Sequence, residues 1–306
     1  MRLIPVIVGP TASGKSELAI NLALTLGGEI VNLDSVQVYR GLYIATAKVP
    51  LHDRRGVPHH LIDIVEPTEN FTAGDYARAA EQTIREIEAR GHVAILAGGT
   101  GFYLRALVKP LFEGPRTETR LRDRFVALRD RLGPEHLHRM LARVDHEAAA
   151  ALEPRDWSRT MRALEVYFQM GRRLSEVQPH MGAPPEFAPR VRVICLNPPR
   201  ERLYEVINQR ADRMFESGLV EEVRSLIASG VPASAKAFQA HGYRRVVEYL
   251  QGLRSREEAL NQMKLDTRHY AKRQLSWWRG WGDVKWIGRF GDDPAALSEA
   301  ASYLDS

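Results

Sequence analysis

Eight consecutive residues near the N-terminus could bind a phosphate group. They read GPTASGKS and fit the pattern G-x-x-x-x-G-K-[ST] at every position. In this pattern the glycines let the backbone wrap around an anion, and successive N–H groups point inward at the start of a helix. Lys15 adds a mobile positive charge, and the Ser16 hydroxyl can bind Mg²⁺. The sequence therefore predicts a site for a pyrophosphate-like ligand, with these candidate residues: Gly9, Pro10, Thr11, Ala12, Ser13, Gly14, Lys15 and Ser16.

The segments around this loop predict the elements that would position it. Short apolar runs with β-branched residues alternate with stretches whose apolar side chains recur at helical spacing. The predicted elements are strands at 3–8, 29–33 and 93–97 and helices at 16–26 and 75–90. Such alternation predicts parallel βαβ units, in which active residues follow the carboxyl ends of strands. Asp34 and Thr100 occupy such positions.

The pattern changes in the middle of the chain, where strand-like runs vanish and all thirteen basic residues of 114–180 are arginines. We interpret 114–186 as a helical insertion domain in a core formed by 1–113 and 187–306, with a linker at 182–185. The predicted fold class is therefore α/β, a P-loop NTPase-like parallel sheet flanked by helices, with a helical insertion. Further predicted elements are a strand at 191–196 and helices at 121–132, 135–152, 156–170, 199–217, 219–229, 239–251 and 255–279.

Composition excludes several classes of protein. With 44% hydrophobic and 26% charged residues among 306, the chain is not collagen, a disordered tail or a coiled-coil rod. Its apolar runs are far shorter than the ~18 residues of a membrane span, so no membrane association is expected. The start of the chain has no small-residue cleavage site, which argues against a secretory signal. Cys195 is the single cysteine and cannot form an internal disulfide, which predicts a cytoplasmic location.

Positive charge is concentrated near the C-terminus. The whole chain carries a formal net charge of +5, and residues 264–289 alone hold seven basic against two acidic residues. This window also holds four of the five tryptophans. Basic residues interleaved with aromatic ones favour a polyanionic partner.

Several sequence motifs that the chain lacks reduce the number of reactions that it could catalyse. The chain has no Asn-Lys-x-Asp motif for guanine and no Asp-Asp-x-x-Asp motif of chain-elongating prenyltransferases. The strand at 93–97 runs into two glycines rather than an acidic Walker B residue. His59 and His60 lack further residues at metal-ligand spacing, so a packed or hydrogen-bonded pair is favoured over a metal site.

The order of motifs resembles the tRNA dimethylallyltransferase family. DSVQVYRG at 34–41 and TAK at 46–48 follow the phosphate-binding loop, and the likeness extends over roughly residues 6 to 286. Ala45 stands where a glycine is common in the family, and Arg155 stands where an asparagine is usual. Without the zinc-finger extension of eukaryotic relatives, the chain resembles a bacterial-type member. The remaining motifs are PHHLIDI at 58–64, GGTGFY at 98–103, RALE at 162–165, GY at 242–243 and RHYAKRQLSW at 268–277.

This resemblance implies a reaction and its partners. A dimethylallyl group would pass from dimethylallyl diphosphate to N6 of adenosine 37, beside the tRNA anticodon, with release of diphosphate. Mg²⁺ is the implied cofactor, bound through Ser16, and a monomer suffices because one tRNA per chain needs no symmetry. Whether a nucleoside triphosphate also binds the loop stays open.

The resemblance also implies catalytic roles. Asp34 would remove a proton from the weakly nucleophilic adenine amine, a contribution of roughly 10²–10⁴-fold; the alternative is a helix cap or turn residue. Lys15 would stabilise the charge that grows on diphosphate. Thr11 would hydrogen-bond a phosphate oxygen or the amine, or merely stabilise the loop. Arg210 would hold the diphosphate, or lie on a helix surface.

An adenine stacked in the anticodon loop must flip out to reach a deep phosphate site. Residues 34–37 would then face the base, with Gln37 contacting its edge. Arginines of the insertion would contact flanking nucleotides, although a solvated arginine face is an open alternative. Trp277 and Trp278 are expected in the core rather than stacked on bases. The predicted tRNA-binding residues are Asp34, Ser35, Val36, Gln37, Thr100, Arg122, Arg159, Thr160, Met161, Arg162, Arg268 and Lys272.

Two other functions compete with this interpretation. The first is a small-molecule enzyme, either an adenylate dimethylallyltransferase or a P-loop kinase of a metabolite, neither of which needs an arginine-rich insertion. The second is an RNA-binding module with a vestigial loop. The intact Lys15, Ser16 and Asp34 argue against the second.

Overall fold

The computed structural model describes residues 2–109, 111–112, 114–178 and 183–306. The chain forms two compact units, one from Met1–Val108 with Pro185–Ser306 and one from Lys109–Pro184. The smaller unit thus begins a few residues before the expected insertion and ends just inside it. Of the linker predicted at 182–185, Gly182 lies outside the described residues. Among the described helices, none is both long and apolar enough to cross a bilayer.

The larger unit contains a parallel sheet of six strands in the order β3-β2-β4-β1-β5-β6. β1 lies in the middle, where Val6 pairs with Leu96 on one side and Val193 on the other. The phosphate-binding loop therefore starts from the interior of the sheet. The strands are β1 Ile4–Val8, β2 Gly28–Asn32, β3 His59–His60, β4 Val93–Ala97, β5 Val191–Leu196 and β6 Lys285–Ile287.

Helices flank this sheet and connect its strands. α1 begins at the end of the phosphate-binding loop and buries Leu18 and Leu22 against Ile95 and Ile194 of the sheet. A capping box between Thr72 and Asp75 fixes the start of α2. The first helices of the chain are α1 Lys15–Leu26, α2 Ala73–Ala89 and α3 Gly101–Val108.

The smaller unit is entirely helical in its described residues. Its core packs Phe125, Leu137, Leu141 and Leu164 from three helices. The single helix expected over 135–152 is wrong, because Asp145 interrupts it: its carboxylate accepts hydrogen bonds from Ala148 N and Ser175 Oγ. The helices are α4 Thr119–Leu132, α5 Pro134–Val144, α6 His146–Ala150, α7 Trp157–Met170 and α8 Leu174–Val177.

The last part of the chain returns to the larger unit and builds a second core beside the sheet. There Tyr39 and Leu42, which follow β2, pack with Phe238, Tyr243 and Met263. The helices are α9 Arg200–Glu216, α10 Leu219–Ala228, α11 His241–Leu250, α12 Arg256–Arg279 and α13 Pro294–Asp305. The sequence patterns did not predict β3, β6, α3, α8 or α13, because most of these elements are too short to show a clear hydrophobic period.

A buried carboxylate joins three elements at one edge of the sheet. Glu29 of β2 is only 3% exposed, and Arg90 donates to its two oxygens at 3.1 and 2.7 Å. His60 and His92 lie 2.6 Å from the same carboxylate. The hydrogen bonds, that from Arg90 first, lower the pKa of Glu29 to about 2. His59 Nδ1 contacts Val57 O at 2.9 Å, so the expectation of a hydrogen-bonded histidine pair is confirmed.

We expect Glu29→Gln to destabilise the protein by about 2–3 kcal/mol at pH 7. The folded pKa lies below the ordinary value of 4.5, so the stabilisation is complete above pH 4.5 and is lost as the pH falls toward 2. Urea unfolding of both proteins between pH 7 and pH 3 measures the difference, which should shrink below pH 4.5. Glu81→Gln, which breaks a surface pair with Arg85, is the control. A constant difference at all pH values would contradict the assignment.

Candidate active site

The phosphate-binding loop leaves backbone donors available at the start of α1. Gly14 occupies the N-cap position with φ 83°, and no side chain caps the helix. The first N–H groups of a helix have no partner within it, so these groups can bind an anion. Ala12 also adopts a left-handed φ, of 65°, which turns the chain inward. A Cβ at Gly9 would lie 2.7 Å from Leu196 O, so only glycine fits between β1 and β5.

The surroundings of Lys15 in this loop shift the pKa of its side chain. Its Nζ donates to Pro10 O at 2.7 Å. Burial, followed by repulsion from Arg210, lowers the pKa of Lys15 to about 8, while attraction to Asp34 acts in the opposite direction. An anion bound here would relieve both penalties, because it would favour the protonated amine.

Two adjoining cavities open at the loop. The smaller, of about 180 Å³, is lined by the phosphate-binding loop, Gly98, Gly99 and Gln37. The larger, of about 570 Å³, is mainly apolar and is lined by side chains such as Phe71, Met214 and Met263. The residues that line both cavities are Thr11, Ala12, Asp34, Thr46, Arg210 and Tyr270.

Asp34 lies at this junction and also holds a turn. Its Oδ1 accepts hydrogen bonds from Val36 N at 2.8 Å and Gln37 N at 3.2 Å. Asn32 fixes the backbone of Asp34 from both sides, through Asn32 Oδ1 and Nδ2, each at 3.1 Å. The turn residue that the sequence offered as an alternative is therefore present, and Oδ2 takes no part in these turn hydrogen bonds. The turn hydrogen bonds orient the carboxylate through Oδ1.

Arg210 approaches the same junction from α9. It lines both cavities instead of lying on the outer face of the helix. Burial lowers the pKa of Arg210, although Asp34 favours its charged form. Together with Lys15 it places two basic side chains at the smaller cavity, beside the carboxylate of Asp34.

Thr100 and Ser35 connect the ends of β4 and β2. Ser35 N donates to Thr100 Oγ1 at 3.0 Å, and the two hydroxyls lie 3.4 Å apart. Both residues line the larger cavity together with Val36. The side chain of Gln37 donates through Nε2 to Thr46 O at 3.0 Å. The structure thus brings residues 34–36 and Thr100 to the wall of the larger cavity, while Gln37 lines the smaller one.

Sequence reasoning assigned no role to two residues of α12. Gln274 is 5% exposed, accepts from Thr11 N at 2.8 Å and donates to Gly99 O at 3.1 Å. Its side chain therefore ties the phosphate-binding loop to the end of β4. Burial raises the pKa of Tyr270, whose hydroxyl hydrogen-bonds Thr100. Both lie within the RHYAKRQLSW motif, which was the only available signal.

In the helical unit the predicted tRNA-binding residues differ in exposure. Thr160 and Met161 are 0% and 2% exposed, so their side chains pack inside the unit, and their assignment to tRNA binding stays a prediction. Arg122 and Arg162 pair with the buried Glu165 at 2.7 and 3.5 Å. Arg159 remains 72% exposed, with Asp156 at 3.4 Å. It has the most accessible charge of this set.

The basic residues of α12 lie outside both cavities. Lys272 is exposed, and the Arg268 guanidinium lies 5.9 Å from the centre of the Tyr204 ring. Trp278 is 1% exposed, and Trp277 is partly buried against Gly101. The expectation of a core position is therefore confirmed for Trp278, while Trp277 is only partly buried.

Fold and site together define a protein of the P-loop NTPase-like fold, in which the phosphate-binding loop lies where a polar and an apolar cavity meet. The family model for IPP transferase matches residues 37–281. The tRNA dimethylallyltransferase of Solibacter usitatus is 46% identical over 302 residues, which are 97% of this chain and 98% of the relative. That of Koribacter versatilis is 44% identical, with 99% and 98% covered. The chain belongs to the IPP transferase family, and the resemblance inferred from its motifs is confirmed.

Solved structures agree with this membership. The full-length tRNA isopentenylpyrophosphate transferase of Bacillus halodurans is 35% identical, with a TM-score of 0.70 over 100% of both chains. A eukaryotic dimethylallyltransferase acting on tRNA is 28% identical, with a TM-score of 0.78 over 99% of this chain and 77% of that one. The P-loop NTPase-like fold class is confirmed.

We expect Lys15→Met to stabilise the ligand-free protein by about 1–2 kcal/mol at pH 7, because the buried charge is removed. The folded pKa of about 8 lies below the ordinary 10.5, so the unfolded state binds more protons between these values. The unfavourable contribution of Lys15 to the free energy of unfolding of the wild-type protein therefore disappears as the pH rises from about 8 to 10.5. Urea unfolding from pH 7 to 10 should show the two proteins converging. Lys272→Met, at an exposed position, is the control, and a destabilised Lys15→Met protein would contradict the analysis.

Proposed function

We propose that the protein transfers a dimethylallyl group from dimethylallyl diphosphate to N6 of adenosine 37 in tRNA and releases diphosphate. The observation that carries the proposal is the junction of the two cavities at Asp34. An anion site lies on one side and an apolar chamber on the other. An allylic diphosphate has this division between a charged and an apolar part.

The smaller cavity suits the diphosphate. Backbone N–H groups of residues 12–16, Lys15 and Arg210 would stabilise the negative charge that develops as the C–O bond breaks. The five-carbon group would extend past Thr11 and Tyr270 into the larger cavity, where its burial is favourable.

Mg²⁺ fits the same side of the site. Ser16 is an exposed hydroxyl in the first turn of α1, and Mg²⁺ typically keeps waters and substrate phosphates beside one or two protein oxygens. The described residues hold no cluster of three His, Cys, Asp or Glu side chains for a metal, so we assign Ser16 as the protein ligand. Bound there, Mg²⁺ would neutralise charge on the diphosphate.

The transfer step balances with one general base. The N6 lone pair forms a bond to the allylic carbon, and the carbon–oxygen electron pair leaves with the diphosphate. The amine proton passes to Oδ2 of Asp34. Thr11 lies at the junction, where its hydroxyl would contact the amine or a phosphate oxygen.

The larger cavity would receive the acceptor base. Its volume of about 570 Å³ accommodates a flipped purine together with a five-carbon group, and Phe102 on its wall is 48% exposed. We assign tRNA contacts outside the cavity to the exposed cations Arg159 and Lys272. A monomeric enzyme in the cytoplasm remains our prediction.

A direct assay separates this function from the small-molecule alternative. Purified protein with dimethylallyl diphosphate and Mg²⁺ is offered unmodified tRNA, AMP or ATP in separate reactions. Mass analysis of nucleosides should find prenylated adenosine from tRNA alone. Product from AMP or ATP, with none from tRNA, would overturn the proposal.

We expect Asp34→Asn to lower kcat by about 10²–10⁴-fold, because the general base is lost. Tight tRNA binding should persist, since an amide oxygen can still accept from Val36 N and Gln37 N. Single-turnover transfer and gel-shift binding measure the two effects. Asp53→Asn, at an exposed site, is the control. Near-normal turnover of Asp34→Asn would remove this residue from the mechanism.

Salt dependence tests the proposed tRNA contacts. Each phosphate contact contributes a slope of about −0.7 to −0.9 to log affinity against log salt. Arg159→Ala and Lys272→Ala should each flatten the slope by about one unit and leave the affinity for dimethylallyl diphosphate unchanged. Arg85→Ala, on α2, is the matched control because that side chain is 74% exposed. Unchanged slopes would place the tRNA on another surface.

A further inference from the structure

Gly242 and Tyr243 match a family motif but take no part in the chemistry above. Tyr243 on α11 is fully buried and lines the larger cavity. Its hydroxyl donates to Glu222 Oε1 of α10 at 2.7 Å. Burial, with the adjacent Glu222 carboxylate, raises the pKa of Tyr243, so its hydroxyl keeps the proton that it donates.

The Glu222 carboxylate of this pair also binds consecutive backbone N–H groups. Glu222 Oε2 accepts hydrogen bonds from Tyr43 N at 3.0 Å and Ile44 N at 3.1 Å. One carboxylate therefore binds two successive N–H groups, those of Tyr43 and Ile44, in the segment 43–46, which we call the acceptor loop.

Close packing brings α11 onto this loop. A Cβ at Gly242 would lie 2.8 Å from Ala45 Cβ and 3.1 Å from Met263 Cε, so glycine is needed for the approach. The small side chain of Ala45 contacts this glycine. The contact places the Tyr243 hydroxyl within reach of the loop backbone.

The acceptor loop in turn positions Gln37. Thr46 O accepts the hydrogen bond from Gln37 Nε2 at 3.0 Å. Gln37 lines the smaller cavity next to Asp34, where the 6-amino group of the base would have to arrive to reach the diphosphate. With its amide nitrogen held in this way, Gln37 offers its carbonyl oxygen as an acceptor. Adenine presents a donor at its 6-amino group, whereas hypoxanthine and guanine present an acceptor oxygen there.

We propose that Glu222 and Tyr243 are positioning residues that fix the acceptor loop, and through Thr46 the orientation of Gln37, so that the site selects a 6-aminopurine. The inference rests on the proposed function. It assigns a role in substrate selectivity to residues of α10 and α11, which lie outside the phosphate-binding loop.

The experiment uses Glu222→Gln and Tyr243→Phe in the full chain. Both should lower kcat/KM for an anticodon stem-loop with adenosine 37 by about 10- to 100-fold, because small displacements of positioning groups are costly. The affinity for dimethylallyl diphosphate should stay within about twofold. Binding of stem-loops with adenosine or inosine at position 37 gives a discrimination ratio, which should fall several-fold in both variants. The double variant should be little worse than either single one, since the residues act as a unit.

Glu221→Gln and Tyr249→Phe are the matched controls, as each changes a neighbouring residue of the same helix outside this network. Variants whose kcat/KM and discrimination ratio equal those of the controls would overturn the inference. So would an equal loss of diphosphate affinity, which indicates general disruption. If Glu222→Gln does not fold, Tyr243→Phe decides alone, because it removes only the hydroxyl. An inactive wild-type protein would instead contradict the proposed function.

Discussion

The anion requirement of the first turn of α1 is the constraint around which this site is built. Its backbone donors have no side-chain cap, and Lys15 and Arg210 add two cations whose charges are disfavoured by burial. Such a site is unfavourable when empty and favourable when occupied by diphosphate. Gln274 holds the arrangement together, since it binds both the loop at Thr11 and the β4 end at Gly99. The residues that would favour diphosphate binding therefore lower the stability of the ligand-free protein.

In the proposed reaction, the apolar cavity strengthens the effect of the positive charges of Lys15 and Arg210. Electrostatic interactions are stronger where water is excluded, and the reacting carbon would lie where the polar and apolar cavities meet. Asp34 offsets part of the repulsion between Lys15 and Arg210 in the empty site. One carboxylate therefore stabilises the cations in the empty site and, in the reaction that we propose, accepts the proton of the amine.

Local sequence patterns predicted those parts of the site that one segment determines. The phosphate-binding loop, β5 at 191–196 and Asp34 after β2 follow from short-range spacing. Gln274 could not be found in this way, because it contacts Thr11 across 263 positions of the chain. Glu222 meets Tyr43 across 179 positions for the same reason. Burial of Thr160 was hidden as well, since a threonine on an arginine-rich helix is compatible with either face.

In the proposed reaction, the turn at Asp34 determines which carboxylate oxygen accepts the proton. Hydrogen bonds from Val36 N and Gln37 N stabilise negative charge on Oδ1 and fix the plane of the carboxylate. We propose that these hydrogen bonds direct the other oxygen, Oδ2, toward the amine. An amine that has begun to bond an allylic carbon becomes positively charged and releases its proton readily. Orientation of Oδ2 toward the amine therefore matters more for this reaction than the strength of the base.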